Sequence, residues 1–272
     1  MPTLLIDGPK SAALTLALAH GAGAPMDSDW MNAIAGAIAD TGVRVVRFEF
    51  PYMNERRETG KKRPPNPERV LLETWRDVIT ELGAHTLVIG GKSMGGRMAS
   101  LVADEMKVRG LVCMGYPFHP PGRREKLRTA HLADLKTPTL ICQGERDTFG
   151  TKEEVPGFTL SPAIKMHWAP DGDHGLKPRK KSGFTEAQNI EGAVAAISAF
   201  GEVPQVRVRL FSGSNMTQIL LSGASMELVT CRAGEASLLV RDAFQIRPGQ
   251  GGVTVSAEGA ADMTADSVAV SA

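Results

Sequence analysis

Along the first two hundred residues, short apolar runs alternate with longer stretches in which apolar side chains recur every three or four positions. Residues 12–19, 43–48, 86–90, 110–115, 139–144 and 163–168 are runs of the first kind, each with at least one β-branched member. Their length and near-continuous hydrophobicity predict strands covered on both faces. The stretches between them read as helices. Residues 29–41 are alanine-rich and end at Gly42, and residues 96–103 carry small side chains on one face. Pro67 opens a helix to about Leu82, with Val70, Leu71, Trp75, Val78, Ile79 and Leu82 along its apolar stripe. Strand and helix in alternation imply parallel pairing through right-handed crossovers. The expected fold is therefore α/β, a mostly parallel sheet flanked by helices.

The pattern changes near residue 200. No lysine occurs after Lys181, the helical period fades, and residues 206–210, 237–240, 253–256 and 267–270 alternate as short strands, with Gly249, Gly251 and Gly252 in turns. Two parts are expected: a domain over residues 1–200 and a small β-rich appendage over 201–272, whose function the sequence does not assign.

Chemistry concentrates at Gly91-Lys92-Ser93-Met94-Gly95, between the run at 86–90 and the helix at 96–103. Strand, abrupt G-x-S-x-G turn and helix is the setting that exposes a serine hydroxyl as a nucleophile. A phosphate-binding loop also ends in Gly-Lys-Ser, but it needs a glycine where this chain has Thr86, and the intervening residues form the strand itself. An acid and a histidine follow where the serine reading requires them. Asp147 lies just beyond the run at 139–144, and His174 follows the run at 163–168, in Asp171-Gly172-Asp173-His174-Gly175. Ser93, Asp147 and His174 thus stand in the chain order of an acyl-transfer triad, each past a strand's carboxyl end. After the run at 12–19, His20-Gly21-Ala22-Gly23-Ala24-Pro25 supplies a glycine-rich loop. The N–H groups of Ala22 and Met94 are the expected oxyanion donors. His20 is read as a brace for that loop, and Lys92 as a cap on the turn or a solvent-facing charge. His85, His119, His131 and His167 have no ligand spacing and are assigned no chemistry.

The stretches Ala19-His20-Gly21-Ala22-Gly23-Ala24, Gly90-Gly91-Lys92-Ser93-Met94-Gly95-Gly96-Arg97, Gln143-Gly144-Glu145-Arg146-Asp147 and Asp173-His174-Gly175-Leu176-Lys177-Pro178-Arg179 resemble the small, lidless α/β-hydrolases related to dienelactone hydrolase. Bacterial relatives of testis-expressed-protein and NSL-complex-subunit hydrolase-like proteins are similar to this chain over residues 1–200. The resemblance implies a sheet of eight strands or slightly fewer and a Ser93–Asp147–His174 triad. It implies no particular substrate, and some relatives of this kind serve as complex subunits.

Composition narrows the alternatives. The 272 residues are 42% hydrophobic and 22% charged, as expected of a globular chain, and no apolar run reaches the roughly 20 residues that span a bilayer. Residues 12–19 are apolar enough for a signal-peptide core, but Asp7 precedes them and the oxyanion loop occupies the cleavage zone. Cys113, Cys142 and Cys231 form no disulfide or zinc pattern, so a reducing, cytoplasmic setting is expected, with no metal or organic cofactor. Net charge is only +1, yet three loops on the triad's side are basic. Residues 49–66 hold Arg56, Arg57, Lys61, Lys62 and Arg63 against three glutamates; residues 116–136 hold five basic side chains against two acidic ones; residues 171–188 hold four against three. The plainer reading is solvated loop charge; the sharper one is steering of anionic substrates toward Ser93. Aromatic residues are not interleaved with these runs, so nucleic acid is not expected. The sequence therefore predicts a serine hydrolase for a small ester or thioester. The alternative is a hydrolase-fold interaction module with an idle triad and a protein partner held through residues 201–272.

Overall fold

A computed structural model describes residues 2–201 continuously and, beyond them, seven strands. The chain divides into two compact units, Met1–Gly201 and Glu202–Ala272. The first is built on a seven-stranded sheet in the order β1-β3-β2-β4-β5-β6-β7. Its strands are β1 (Leu4–Asp7), β2 (Thr15–Ala19), β3 (Arg44–Phe48), β4 (Leu87–Lys92), β5 (Gly110–Met114), β6 (Thr139–Gly144) and β7 (Ile164–Ala169). β1 runs antiparallel to β3, and all other pairs are parallel. The helices are α1 (Asp29–Ala39), α2 (Pro51–Thr59), α3 (Glu68–Leu82), α4 (Met94–Met106) and α5 (Glu186–Gly201).

The near-continuous apolar runs are explained by burial on both faces. Leu87 and Ile89 of β4 point into a core with Trp75, Val78 and Ile79 of α3 and Met98 and Val102 of α4. Val88, between them, points the other way, to Met31, Ile34 and Ile38 of α1 and Ile197 of α5. Leu16 and Ala17 of β2, and Leu111 and Val112 of β5, divide between the same two cores. Each such side chain contributes roughly 1.5–3 kcal/mol by leaving water. A one-residue slip of any central strand would exchange the two sets. This rigid slab lets side chains at its edge hold fixed positions.

Several elements depart from the sequence reading. β4 extends to Lys92, two residues past the predicted end, and α4 begins at once at Met94. The seven strands of the sheet fall within the expected size, but β1 and α5 are additional elements, and part of the loop expected at 49–66 is helix α2. Residues 115–138, between β5 and β6, hold one short 3-10 turn (Ala130–Leu132) and no inserted helical domain.

In the second unit, β8 (Ile219–Leu221), β9 (Val229–Ala233), β10 (Ala236–Val240), β11 (Phe244–Gly249), β12 (Gly252–Ala257), β13 (Met263–Ala265) and β14 (Ala269–Ser271) form two antiparallel sheets, β10-β9-β14 and β13-β12-β11-β8. Gly249 and Gly252 pair with each other as the residues that close the β11–β12 hairpin. The strand expected at residues 206–210 lies outside the described residues.

Candidate active site

The turn at Ser93 is shaped by what cannot fit around it. A Cβ at Gly91, where φ is +152°, would strike the carbonyl oxygen of Ala19, and one at Gly95 would lie 2.5 Å from the same oxygen. Glycine at both places lets β4 and α4 approach β2 closely. Ser93 itself has φ 50° and ψ −113°, a backbone conformation that L-residues rarely adopt. Its N–H donates to Met114 O at 2.9 Å, which ties the strained turn to β5.

The hydroxyl so exposed meets the other two predicted side chains. Ser93 Oγ is 2.9 Å from His174 Nε2, and His174 Nδ1 is 2.8 Å from Asp147 Oδ2. With the carboxylate on Nδ1, the ring carries its proton there and Nε2 is free to accept from the hydroxyl. Asp147 is fully buried, and its charge is met by further donors: the Phe149 N–H reaches Oδ1 at 2.9 Å, and Gln143 Nε2 reaches Oδ2 at 2.8 Å. The Phe149 ring lies against the imidazole, with centroids 4.3 Å apart, and restricts its rotation. Gln143 went unnoticed in the sequence, although a glutamine inside an apolar strand was the available signal. Its amide also clasps the Tyr116 main chain, accepting from N–H at 2.7 Å and donating to O at 3.1 Å, so the segment after β5 is tied to the acid loop.

The second group of predicted residues borders the same turn. Met94 opens α4, and a Cβ at Gly21 would lie 3.8 Å from Ser93 Cβ, so the loop that carries Ala22 passes beside the nucleophile. Neither the Ala22 nor the Met94 N–H has an acceptor among the described residues. The Gly21 carbonyl shares its peptide unit with the Ala22 N–H, and the two point in opposite directions. His20 Nδ1 donates to that carbonyl at 2.7 Å, while Nε2 accepts from the Phe50 N–H at 3.2 Å. Both bonds hold only for the neutral ring, and burial pushes the His20 pKa down, in keeping with that form. His20 therefore aims the Ala22 N–H, a more specific part than bracing.

The next peptide is held by Tyr52, whose hydroxyl donates to Ala22 O at 3.0 Å, and Arg56 reaches Gly23 O at 3.1 Å. Burial raises the Tyr52 phenol to about 12, so it remains a donor throughout the working pH range. Where the site turns over an activated ester, Tyr52→Phe is expected to lower kcat about tenfold with KM within a factor of two, because the loop loses one hydrogen-bonded anchor. Steady-state kinetics at neutral pH would check this.

Five of the fourteen basic side chains of these loops are ion-paired within the fold. Arg57 bonds Glu49 at 2.6 Å and Asp27 at 2.5 Å; Arg63 meets Glu55 at 2.7 Å; Arg124 meets Glu154 at 2.5 Å; Arg179 is paired with Asp171; and Lys177 lies 3.4 Å from Glu186. A cavity of about 320 Å³ adjoins His174, lined by Trp30, Arg146, Thr148, Asp173, Gly175, Lys177 and Glu186. Its ionised side chains balance in sign. Lys92 departs from its sequence reading: its ammonium turns inward and donates to the His174 carbonyl. Cys113 and Cys142 are buried free thiols, and burial pushes Cys142 up to about 12. Among the described residues, no three His, Cys, Asp or Glu side chains gather as a metal site would require, and no helix is long and apolar enough to cross a membrane.

Comparison with known proteins identifies the family and the fold. The chain belongs to the alpha/beta hydrolase family, whose alpha/beta hydrolase domain model matches residues 12–202. A rat protein named putative protein-lysine deacylase ABHD14B is 30% identical over 116 residues, 42% of this chain and 52% of the relative, so the chain spans about half the length of that curated protein. Among solved structures, an alpha-beta serine hydrolase homologue from Coxiella burnetii is 20% identical over 73% of this chain and 88% of its own, with a TM-score of 0.52. A monoacylglycerol lipase from Paleococcus ferrophilus is 12% identical over 74% and 99%, with a TM-score of 0.56. Est1E from Butyrivibrio proteoclasticus, solved with ferulic acid, is 13% identical over 72% and 93%, with a TM-score of 0.54. At these identities the likeness speaks for the fold.

Proposed function

We propose that this protein is a serine hydrolase that cleaves small esters or thioesters through an acyl-enzyme on Ser93. The observation that carries the reading is the continuous chain from the Ser93 hydroxyl through both nitrogens of His174 to the buried Asp147. Ser93 Oγ attacks the substrate carbonyl while its proton passes to Nε2 of His174. Asp147 holds the Nδ1–H and stabilises the imidazolium that forms. The carbonyl oxygen, now an oxyanion, accepts from the N–H groups of Ala22 and Met94; loss of one such donor costs about 3 kcal/mol of transition-state stabilisation. The tetrahedral intermediate collapses, the alcohol or thiol leaves with the proton from Nε2, and water repeats the sequence to free the acid. The cavity beside His174 is suited in size and position to a small leaving group, and its balanced charges favour a polar group over a strongly anionic one.

The relative named as a protein-lysine deacylase supports a second arm, an acyl group on a lysine side chain, in which the same attack would expel an amine. A fluorophosphonate probe tests the main reading. Wild-type protein should be labelled within minutes and Ser93→Ala not at all; a folded wild type that resists the probe would mean the triad is idle and the fold serves as an interaction module. Parallel assays on short nitrophenyl esters, acyl thioesters and an acyl-lysine peptide would then separate the leaving groups.

A further inference from the structure

Lys92 has no part in the acyl-transfer scheme, yet its side chain enters the machinery. It is the last residue of β4, one position before the nucleophile. Its chain runs beneath the histidine loop, and its ammonium donates to the main-chain carbonyl of His174. The same nitrogen lies 5.3 Å from the centre of the Trp30 ring, and the Trp30 indole N–H donates to the next carbonyl, Gly175 O, at 2.9 Å. Two successive carbonyls of the loop are thus tied down, one to β4 and one to α1. Space for this is left by Gly115 on the β5 side, where a Cβ would lie 2.6 Å from Nζ and 3.2 Å from His174 Nδ1. Withdrawing an ammonium from water is unfavourable, and an uncharged side chain could fill the same channel without that penalty. The groups that face the charge are the carboxylates of Asp147, on the loop after β6, and Asp173, on the loop after β7, together with His174.

We propose that Lys92 is a positioning residue for the triad: its ammonium holds the main chain of His174 against β4 and gives the buried Asp147 carboxylate a counter-charge, which keeps the imidazole aimed at Ser93. This rests on the reading of Ser93 as the nucleophile. Desolvation holds the Lys92 pKa down to about 8, against the pull of Asp147 and Asp173. Above that pH the neutral amine can still donate a hydrogen bond but no longer balances the carboxylate. Alignment is therefore full below about pH 8 and fades above it. Stability moves oppositely: the folded protein sheds this proton before the unfolded chain does, so stability rises from about pH 8 to about 10.5. A merely structural lysine would not separate the two trends.

The test is the rate of fluorophosphonate labelling of the full chain between about pH 6 and about pH 10, with thermal unfolding at neutral pH as the companion measurement. Wild-type labelling should fall with a midpoint near pH 8. Lys92→Met should label about tenfold more slowly at neutral pH, lose that midpoint, and melt at or above the wild-type temperature. Lys92→Gln, which keeps a donor without the charge, should behave like Lys92→Met and carries the test if the latter does not fold. An unchanged rate, or a midpoint near pH 8 that persists in either variant, overturns the proposal while leaving the serine hydrolase intact. A folded wild type that is not labelled overturns both.

Discussion

Ser93→Gly is expected to be inert toward a fluorophosphonate and yet to unfold at a higher temperature than the wild type. Ser93 is held at φ 50°, ψ −113°, a conformation whose strain is of order 1–3 kcal/mol for a residue with a Cβ. Glycine adopts positive φ without that strain, although its greater freedom in the unfolded chain returns up to about 1 kcal/mol. The net gain of about 1 kcal/mol corresponds to roughly 2–4 °C in a domain of this size. Ser93→Ala is the control, because it removes the same hydroxyl but keeps the Cβ and hence the strain. Labelling and melting curves on all three proteins should show two inert variants, of which only the glycine is stabilised. Equal melting temperatures for the two variants would show that the turn stores no strain at this residue.

Asp147→Asn is expected to lower kcat about 10³- to 10⁴-fold with little change in KM, the scale seen when an imidazole loses its orienting carboxylate. The surroundings of Asp147 supply three donors: the Phe149 N–H, Gln143 Nε2 and His174 Nδ1. A carboxylate can accept all of them. An amide must turn its own NH₂ toward at least one, leaving a buried donor opposite a donor at about 1–3 kcal/mol. The imidazole can relieve the conflict by moving its proton to Nε2, which then no longer accepts from Ser93. Turnover and urea unfolding measured together should both fall. Loss of stability with full turnover would remove Asp147 from the mechanism.

The positions that sequence could place are those set by strand ends. Ser93, Asp147 and His174 each follow a run whose burial on both faces leaves a near-continuous apolar signature, and the chain order did the rest. Helix α2 gave no such signature: only Tyr52 and Met53 of its nine residues are buried, so too little of an apolar stripe exists to show a period. The pairing of the basic loops was equally hidden, because Arg57 meets Asp27 across thirty positions of chain and such distances are not written in local pattern. Lys92 was legible as a residue but not as a direction. Nothing in Gly-Lys-Ser says that a lysine at the end of a buried strand will turn inward, since that depends on Gly115 clearing room for it just past the neighbouring strand.

The short path from β5 to β6 has a consequence for how such a site would handle grease and water. Lipases that fold a helical cover from this stretch wait for an oil surface to lift it, and their rates jump when substrate forms droplets. Residues 115–138 encode no cover of that kind. On the proposed serine-hydrolase reading, turnover of an ester should therefore follow dissolved, single molecules with ordinary saturation and show no jump where the substrate forms droplets.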